Sequence, residues 1–554
     1  MGSGFGGAVS AYRLAEAGLS VCLIERGKPY PPGSFPRSPR RVRDNFWDPS
    51  EGLHGMFNLW SFRGLEALVS SGLGGGSLIY ANVLIRKDER WFVKEDPRAG
   101  WYEHWPVTRA DLEPHYDRAE KMLDAQRYPL EHPPYDATPK TVAVKEAAAK
   151  LGLEWQLPKL AVTFGNPGHM PVPGEPIVEA RPNLHRRTRY TCRLCGECDL
   201  GCNYGSKNTL DYNYLTEAKR LGADVRTLCE VKSFEPIERR YAVDYVEHNG
   251  EEEGNRSDTG PLPRVRITCD RLVLSAGALG SPYLLLRNRS AFPRIGKALG
   301  TRFCGNGDLL TFVNDARTTT DGAKQQRVLD PGRGPVITCA VRVPDALDGG
   351  EGRGFYIEDA GYPEFANWML ETIDVPGAAK RAIRFGARRV WSRLTSDPRS
   401  DLSAEFRNLL LGDCDRSTTT LPLLGMGRDI PDGNMRLRDG YLEIDWTTKT
   451  SRDYFERVRD TMKDIAHAME AELNDNPIWY LKRVITVHPL GGCPMGRNER
   501  EGVVDPYGRV FGYPGFFIAD GSVMPGPVGA NPSLTIAALA DRSADRMVEP
   551  VTHQ

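Results

Sequence analysis

The 554-residue chain carries 72 basic and 73 acidic side chains, a formal net charge of −1, so no global field draws it to nucleic acid, which demands a concentrated excess of Lys and Arg. With 40% hydrophobic and 26% charged residues it is neither disordered nor fibrous, and it is long enough for about two to four domains. No apolar run of about 18 residues occurs and the mean hydropathy is −0.44, so no membrane-spanning helix is expected and membrane contact would be at most peripheral.

In chain order, Gly2-Ser3-Gly4-Phe5-Gly6-Gly7 spells G-x-G-x-x-G. A helical pattern from Ala8 to Ala17, a stop at Gly18 and an apolar strand from Ser20 to Ile24 ending in Glu25 follow. This is the phosphate-binding turn, helix and second strand of a dinucleotide-binding βαβ unit, in which Gly2, Gly4 and Gly7 let the backbone approach a pyrophosphate and Glu25 accepts from ribose hydroxyls. The first strand of such a unit precedes the turn, and the sequence opens at that strand's last residue, Met1. Firm retention of the dinucleotide is therefore expected to need apolar residues ahead of Met1.

Residues 28–60, rich in Pro, Gly and aromatics with Arg37, Arg40, Arg41 and Arg43, read as a long loop. A second glycine-rich segment covers 69–82, where Gly72, Gly74, Gly75 and Gly76, with Ser77 and Asn82, would let backbone pass a flat ring or a phosphate. Helices are expected through Leu112, Tyr116, Ala119 and Leu123, over 141–151 and over 208–221, with strands at 224–235 and 264–275. The small-residue turn Ala276 to Pro282 offers another backbone surface to a ligand, while 315–480 lacks such turns, as a separate substrate-covering domain would. Near the end, His488 closes an apolar strand before Pro489-Leu490-Gly491-Gly492, a buried strand runs into Asp520-Gly521, and Gly529-Ala530-Asn531-Pro532 opens a helix to Met547.

Eleven cysteines are present. Cys22, Cys229, Cys269, Cys304, Cys339, Cys414 and Cys493 are scattered and read as buried free thiols. Cys192, Cys195, Cys198 and Cys202 instead form C-x2-C-x2-C-x3-C, the spacing of a bacterial ferredoxin run without its trailing proline. An iron–sulfur cluster, zinc, disulfides and free thiols all stay open for this loop.

Taken in this order, the motifs resemble the glucose–methanol–choline (GMC) flavin oxidoreductases, in particular the cholesterol oxidase branch, over nearly the whole chain. The resemblance implies FAD in an extended pose and an α/β (α+β overall) architecture, a Rossmann-like FAD domain beside a substrate domain with a mainly antiparallel sheet and helices. The FAD domain is expected from residues 1–30, 69–90, 208–310 and 484–546, the substrate domain from 91–190 and 311–483, and the cysteine loop from 191–207.

It further implies that His488 and Asn531 are the pair beside the flavin. Val231 would flank the adenine, and Asp520 and Gly521 the ribityl and pyrophosphate, with Ala276 and Pro532 also lining the cofactor. Asn306-Gly307-Asp308 resembles a stretch near the active site, and Glu358 is the nearest candidate for the carboxylate that cholesterol oxidases hold over the substrate, in a register uncertain by one residue. One group in the family holds an iron–sulfur cluster in a cysteine-rich insert.

The chemistry also follows from the residue types: alcohol oxidation sends a hydride to the flavin, an imidazole takes the hydroxyl proton, and an amide holds the oxygen without competing as a base. The expected activity is oxidation of a hydrophobic alcohol such as a sterol, with electrons leaving through a cluster, a protein acceptor or a quinone. The alternatives are a long-chain alcohol or sugar dehydrogenase feeding a cytochrome or quinone, and a non-catalytic flavin and cluster electron carrier. Lys380 to Leu394, with Ile383, Ala387, Val390, Trp391 and Leu394 on one helical face among basic residues, reads as a surface helix, or as one that lies on anionic lipid. A cytoplasmic location is favoured, although an export signal would lie ahead of Met1.

Overall fold

The structure is a computed structural model that describes residues 1–37, 43–94, 103–250, 262–320, 322–362 and 419–550. The basic stretch 380–394 and Cys414 lie outside the described residues. Helix Phe5–Glu16 follows the glycine turn and buries Phe5, Ala8, Val9, Ala11, Leu14 and Ala15. It lies this close to the turn because residue 7 has no side chain: a Cβ there would stand 2.0 Å from the Gly2 carbonyl oxygen.

A parallel layer forms beside this helix. Strand Cys22–Ile24 pairs in parallel with Asp224–Arg226, and Leu272–Leu274 with Phe516–Ile518. The backbone of Met1 and Gly2 joins the two pairs. The Met1 ammonium donates to Val273 O (2.7 Å), Ser275 N to Met1 O (2.8 Å) and Gly2 N to Ile24 O (2.8 Å). Helix Phe5–Glu16 packs against helix Ser533–Met547, which in turn packs on Arg109–Met122, and Asp541 ties all three together by accepting from Arg13 (2.5 Å), His115 (2.6 Å) and Arg118 (2.8 Å). Short parallel strands under helices are the doubly wound arrangement that the α/β expectation describes.

The second layer is a six-stranded sheet in the order Glu472–Asp475, Leu309–Asn314, Leu421–Gly427, Phe355–Asp359, Ala340–Val343, Glu154–Gln156, with every pairing antiparallel. Helices Pro139–Leu151 and Arg452–Ala468 cover it, the latter through Phe455, Val458, Met462 and Ile465, all 0% exposed.

Several local expectations are corrected. Residues 28–60 are not one long loop, because Phe57–Ser61 pairs with Leu65–Ser70, which pairs with Val484–Thr486. The strand expected at 224–235 is two, broken at Leu228, whose φ of 57° turns the chain from the parallel layer into an antiparallel three-stranded sheet. The strand expected at 264–275 divides in the same way into Arg264–Cys269 and Leu272–Leu274. The helix expected over 208–221 is confined to Tyr214–Arg220. Cys22 is exposed and Cys269 half-buried, while Cys229, Cys304, Cys339 and Cys493 are buried as expected. Alternation or helical periodicity reports which face is buried, not where the chain leaves one layer for another.

Candidate active site

The two glycine-rich segments meet at Ser3. Its backbone N–H and hydroxyl both donate to Glu25 Oε2 (2.9 and 2.7 Å), and Ser3 Oγ accepts from Gly74 N (3.0 Å). Gly75, at φ 52°, presses on the phosphate turn so closely that a Cβ would lie 2.6 Å from Gly4 Cα. A side chain at Gly4 or Gly76 would by contrast meet open space, so both face the volume that a ligand would fill. Glu25 also accepts from Gly27 N (2.9 Å), and its carbonyl accepts from Cys229 N (2.8 Å), which brings Val231 to the same edge at a shift in strand register.

Ser77 faces inward: its hydroxyl donates to Gly74 O (2.7 Å) and accepts from Leu210 N (3.1 Å). Ala276 N donates to Ser281 Oγ (3.0 Å), and Asp520 accepts from Ser281 Oγ (2.5 Å), Gly277 N (2.9 Å) and Ser522 N (2.8 Å), which docks the Asp520-Gly521 turn on the Ala276 turn. Burial raises the Asp520 carboxyl above its ordinary range. Asn82 is 0% exposed at φ 71°, and neither its amide oxygen nor its amide nitrogen has a protein partner among the described residues. The Ser71 hydroxyl is likewise buried and unpartnered among the described residues. Such atoms cost about 1–3 kcal/mol each when unsatisfied. A polar dinucleotide lying along the two glycine segments and the Asp520 turn fits this donor and acceptor set.

His488 and Asn531 are each tied to a carboxylate, and the turn Asn306 to Asp308 touches the segment of each. Val484–Thr486 delivers His488, whose Nδ1 pairs with Asp308 Oδ1 (2.8 Å), while Asp308 Oδ2 accepts from Thr486 Oγ1 and Val487 N (both 2.9 Å). An ionised carboxylate only accepts, so Nδ1 carries the proton and Nε2 is left as the basic nitrogen. Asn531 stands just ahead of Pro532, which caps helix Ser533–Met547, and its Nδ2 donates to Glu358 Oε2 (3.2 Å). Glu358, not its neighbour Asp359, meets the amide. Asp359 instead accepts from Thr338 N (2.8 Å) and Cys339 N (2.7 Å), with Lys140 Nζ at 3.4 Å. Burial pushes the Glu358 carboxyl up to about 8. Glu358 Oε1 and Asn531 Oδ1 are both buried without protein partners among the described residues.

Family models described as GMC oxidoreductase match residues 181–304 and 430–540. A cholesterol oxidase of Mycobacterium tuberculosis is 30% identical, covering 98% of this chain and 89% of its own length. The chain is a GMC oxidoreductase. Long-chain-alcohol oxidase FAO4B of Arabidopsis thaliana is 23% identical over 100% of this chain and 67% of its own. In fold the chain is similar to pyridoxine 4-oxidase from Mesorbium loti, with a TM-score of 0.60, 17% identity and coverage of 98% and 97% of the two chains. As a GMC oxidoreductase it is an FAD-dependent alcohol oxidoreductase, and the unpartnered polar atoms above suit that cofactor.

The four-cysteine loop of this GMC oxidoreductase is a different case. Cys192, Cys195, Cys198 and Cys202 line one cavity with Glu197 and Lys207, and all four are free thiols. Burial, reinforced by the neighbouring sulfurs, raises the Cys192 and Cys195 thiols, the latter to about 12, so both are protonated. Among the described residues no three Cys, His, Asp or Glu side chains are placed to hold a metal ion, so the ligand set read from the spacing is not assembled. The loop is held from outside instead. Gly196 N donates to Gly334 O (2.9 Å), Arg37 Nε pairs with Glu197 (2.7 Å), and Lys207 Nζ donates to Cys198 O (2.8 Å) and Leu78 O (3.0 Å). Burial brings Lys207 down to about 8.

Three site residues escaped sequence reasoning. Lys87 is fully buried over the Trp105 ring (4.5 Å) and donates to Pro527 O (2.8 Å) and Val528 O (3.2 Å), just ahead of Asn531. Asp429, which burial pushes up to about 8, accepts from Gly305 N (3.0 Å). Thr486 bridges Gly305 O (3.1 Å) and Asp308. Only Thr486 left a trace, as a polar residue inside an apolar strand two places before His488.

Proposed function

We propose that the chain oxidises the hydroxyl of a hydrophobic, sterol-like alcohol to the carbonyl. The observation that carries this reading is the convergence of a carboxylate-tied imidazole with a free Nε2, an amide with an unpartnered oxygen and a buried carboxyl. Bound FAD supplies the hydride acceptor. His488 Nε2 takes the hydroxyl proton, and Asp308 stabilises the imidazolium that results. Asn531 orients the alcohol oxygen, and its amide is itself held by Glu358. Below about pH 8 Glu358 is neutral, so an apolar substrate beside it meets no buried charge. The sterol preference is supported by the name of the M. tuberculosis relative, and a long-chain alcohol by that of the plant relative. On this reading the FAD domain comprises 1–30, 69–90, 208–310 and 484–546, and the substrate domain 91–190 and 311–483.

The test is anaerobic flavin reduction by a sterol, a long-chain primary alcohol and a sugar. The fastest bleaching is expected with the sterol. Bleaching only by the sugar would overturn the hydrophobic assignment, and bleaching by none would overturn the alcohol chemistry. A second reading, in which electrons leave through an iron–sulfur group at the cysteine loop, has one observation in its favour: the four thiols share a cavity. Anaerobically purified protein without iron or broad visible cluster absorbance would end it.

A further inference from the structure

We infer that Asn306-Gly307-Asp308 is a single positioning element that sets both members of the His488/Asn531 pair. The inference rests on the catalytic reading above and names what makes that pair competent. Asp308 holds His488 by Nδ1, as described. Two residues earlier, the Asn306 amide clasps the other segment from both sides: its Oδ1 accepts from Gly529 N (2.9 Å) and its Nδ2 donates to Ala530 O (3.0 Å). A side chain that pairs with the N–H of one residue and the carbonyl of the next fixes the peptide between them, and Asn531 is the residue that follows.

The turn between the two side chains is built to keep this geometry. Asn306 and Gly307 both have positive φ, 53° and 69°, a conformation that Asn tolerates and that suits Gly. Gly307 has no room for a side chain, since a Cβ would lie 2.2 Å from the Tyr454 hydroxyl oxygen, and that hydroxyl donates to Gly307 O (3.0 Å). Gly427 N donates to Asn306 O (2.9 Å). Asn306 is 0% and Asp308 1% exposed, so water does not compete for either clasp. The element leads straight into strand Leu309–Asn314, inside the antiparallel sheet, and Glu358 comes from the same sheet. One tripeptide thus references the proton acceptor, the oxygen-holding amide and the carboxyl to one frame.

The role of Asp308 reaches beyond shape. In Asp308→Asn the backbone N–H of Val487 and the Thr486 hydroxyl claim the amide oxygen, so the NH2 turns to His488 Nδ1. The ring is then forced into the Nε2–H tautomer, and the nitrogen that should receive the substrate proton already carries one.

The experiment uses the FAD-loaded enzyme with ¹⁵N-labelled histidine. In the unmutated enzyme the His488 imidazole is expected as Nδ1–H, and an Nε2–H signal would overturn the proposal. Asp308→Asn should move the proton to Nε2 and slow flavin reduction at saturating alcohol by about 10⁴-fold, the order that a wrong tautomer costs in the Ser-His-Asp triad, with substrate affinity little changed. A slowed rate with the tautomer unmoved, or an unchanged rate, would overturn the role assigned to Asp308. Asn306→Asp keeps the tolerance for positive φ and the acceptor for Gly529 N, and replaces the donor to Ala530 O by a buried carboxylate oxygen that repels it. It should lower the rate about tenfold with the His488 tautomer unchanged, the loss of one buried hydrogen bond that positions the amide. A rate within twofold of the parent would overturn the shared role. If no alcohol reduces the parent flavin, it is the alcohol chemistry that fails, while the tautomer signals still decide this inference.

Discussion

The His488 centre and the four-cysteine loop are built in opposite ways. The first draws on residues 306–308, 358, 486–488 and 531, scattered along the chain, and ends as a connected hydrogen-bond set with two atoms unpartnered among the described residues. The second packs four thiols within eleven residues, and yet no metal-holding arrangement results among the described residues. Close spacing along a chain is therefore a weaker guide to chemistry than complementary partners meeting across it. A carboxylate opposite an imidazole defines a protonation state, whereas four free thiols around a cavity define none.

Breaking the first region should have the larger effects. His488→Ala, with FAD still bound, should slow flavin reduction by about 10²-fold or more, as loss of a general base does, and a parent-like rate in anaerobic stopped flow would remove His488 from the reaction. Gly75→Ala sets a Cβ against Gly4 at a positive φ and should weaken FAD affinity about tenfold, read by flavin retained on dilution. Glu358→Gln sharpens the contrast through pH. Glu358 and Asp429 both titrate at about 8 when folded, above their ordinary values of about 4 when unfolded. The folded state therefore holds protons that the unfolded state releases, and stability falls as pH rises from about 5 to about 8. In the Gln variant that fall should be shallower, as followed by melting temperature from pH 5 to 9, and an identical slope would show that Glu358 is not neutral in the fold. The smallest effect is expected in the second region. Cys195→Ser, a change of one atom in the loop, should leave flavin reduction within about twofold, and a severe loss would show that the loop holds a group the reaction needs.

Much of the cofactor side was legible in advance because it is local: a glycine turn, its helix and Glu25 follow one another, and Gly75 and Asn82 share one short segment. His488 and Asn531 were legible through motif order. What could not be read was partnership. Nothing near Asn306 announces that its amide will clasp Gly529 and Ala530, and nothing in the sequence places Lys87 beneath the carbonyls ahead of Asn531. The register of Glu358 was open because neighbouring strand residues face opposite ways, and only pairing with Leu424 and Ala340 decides which carboxyl turns to the amide. The breaks in the two long strands were hidden for a related reason, since Leu228 and the Asp270-Arg271 step carry no glycine or proline to announce a turn.

The buried polar atoms of Asn82 and Ser71, unpartnered among the described residues, have a consequence for how this protein is made. Groups whose partners the described protein residues do not supply favour a ligand that completes them in the folded state and not in the unfolded one. Flavin then behaves as a structural member, like the keystone of an arch, and its supply while the chain folds governs how much durable enzyme a cell can accumulate.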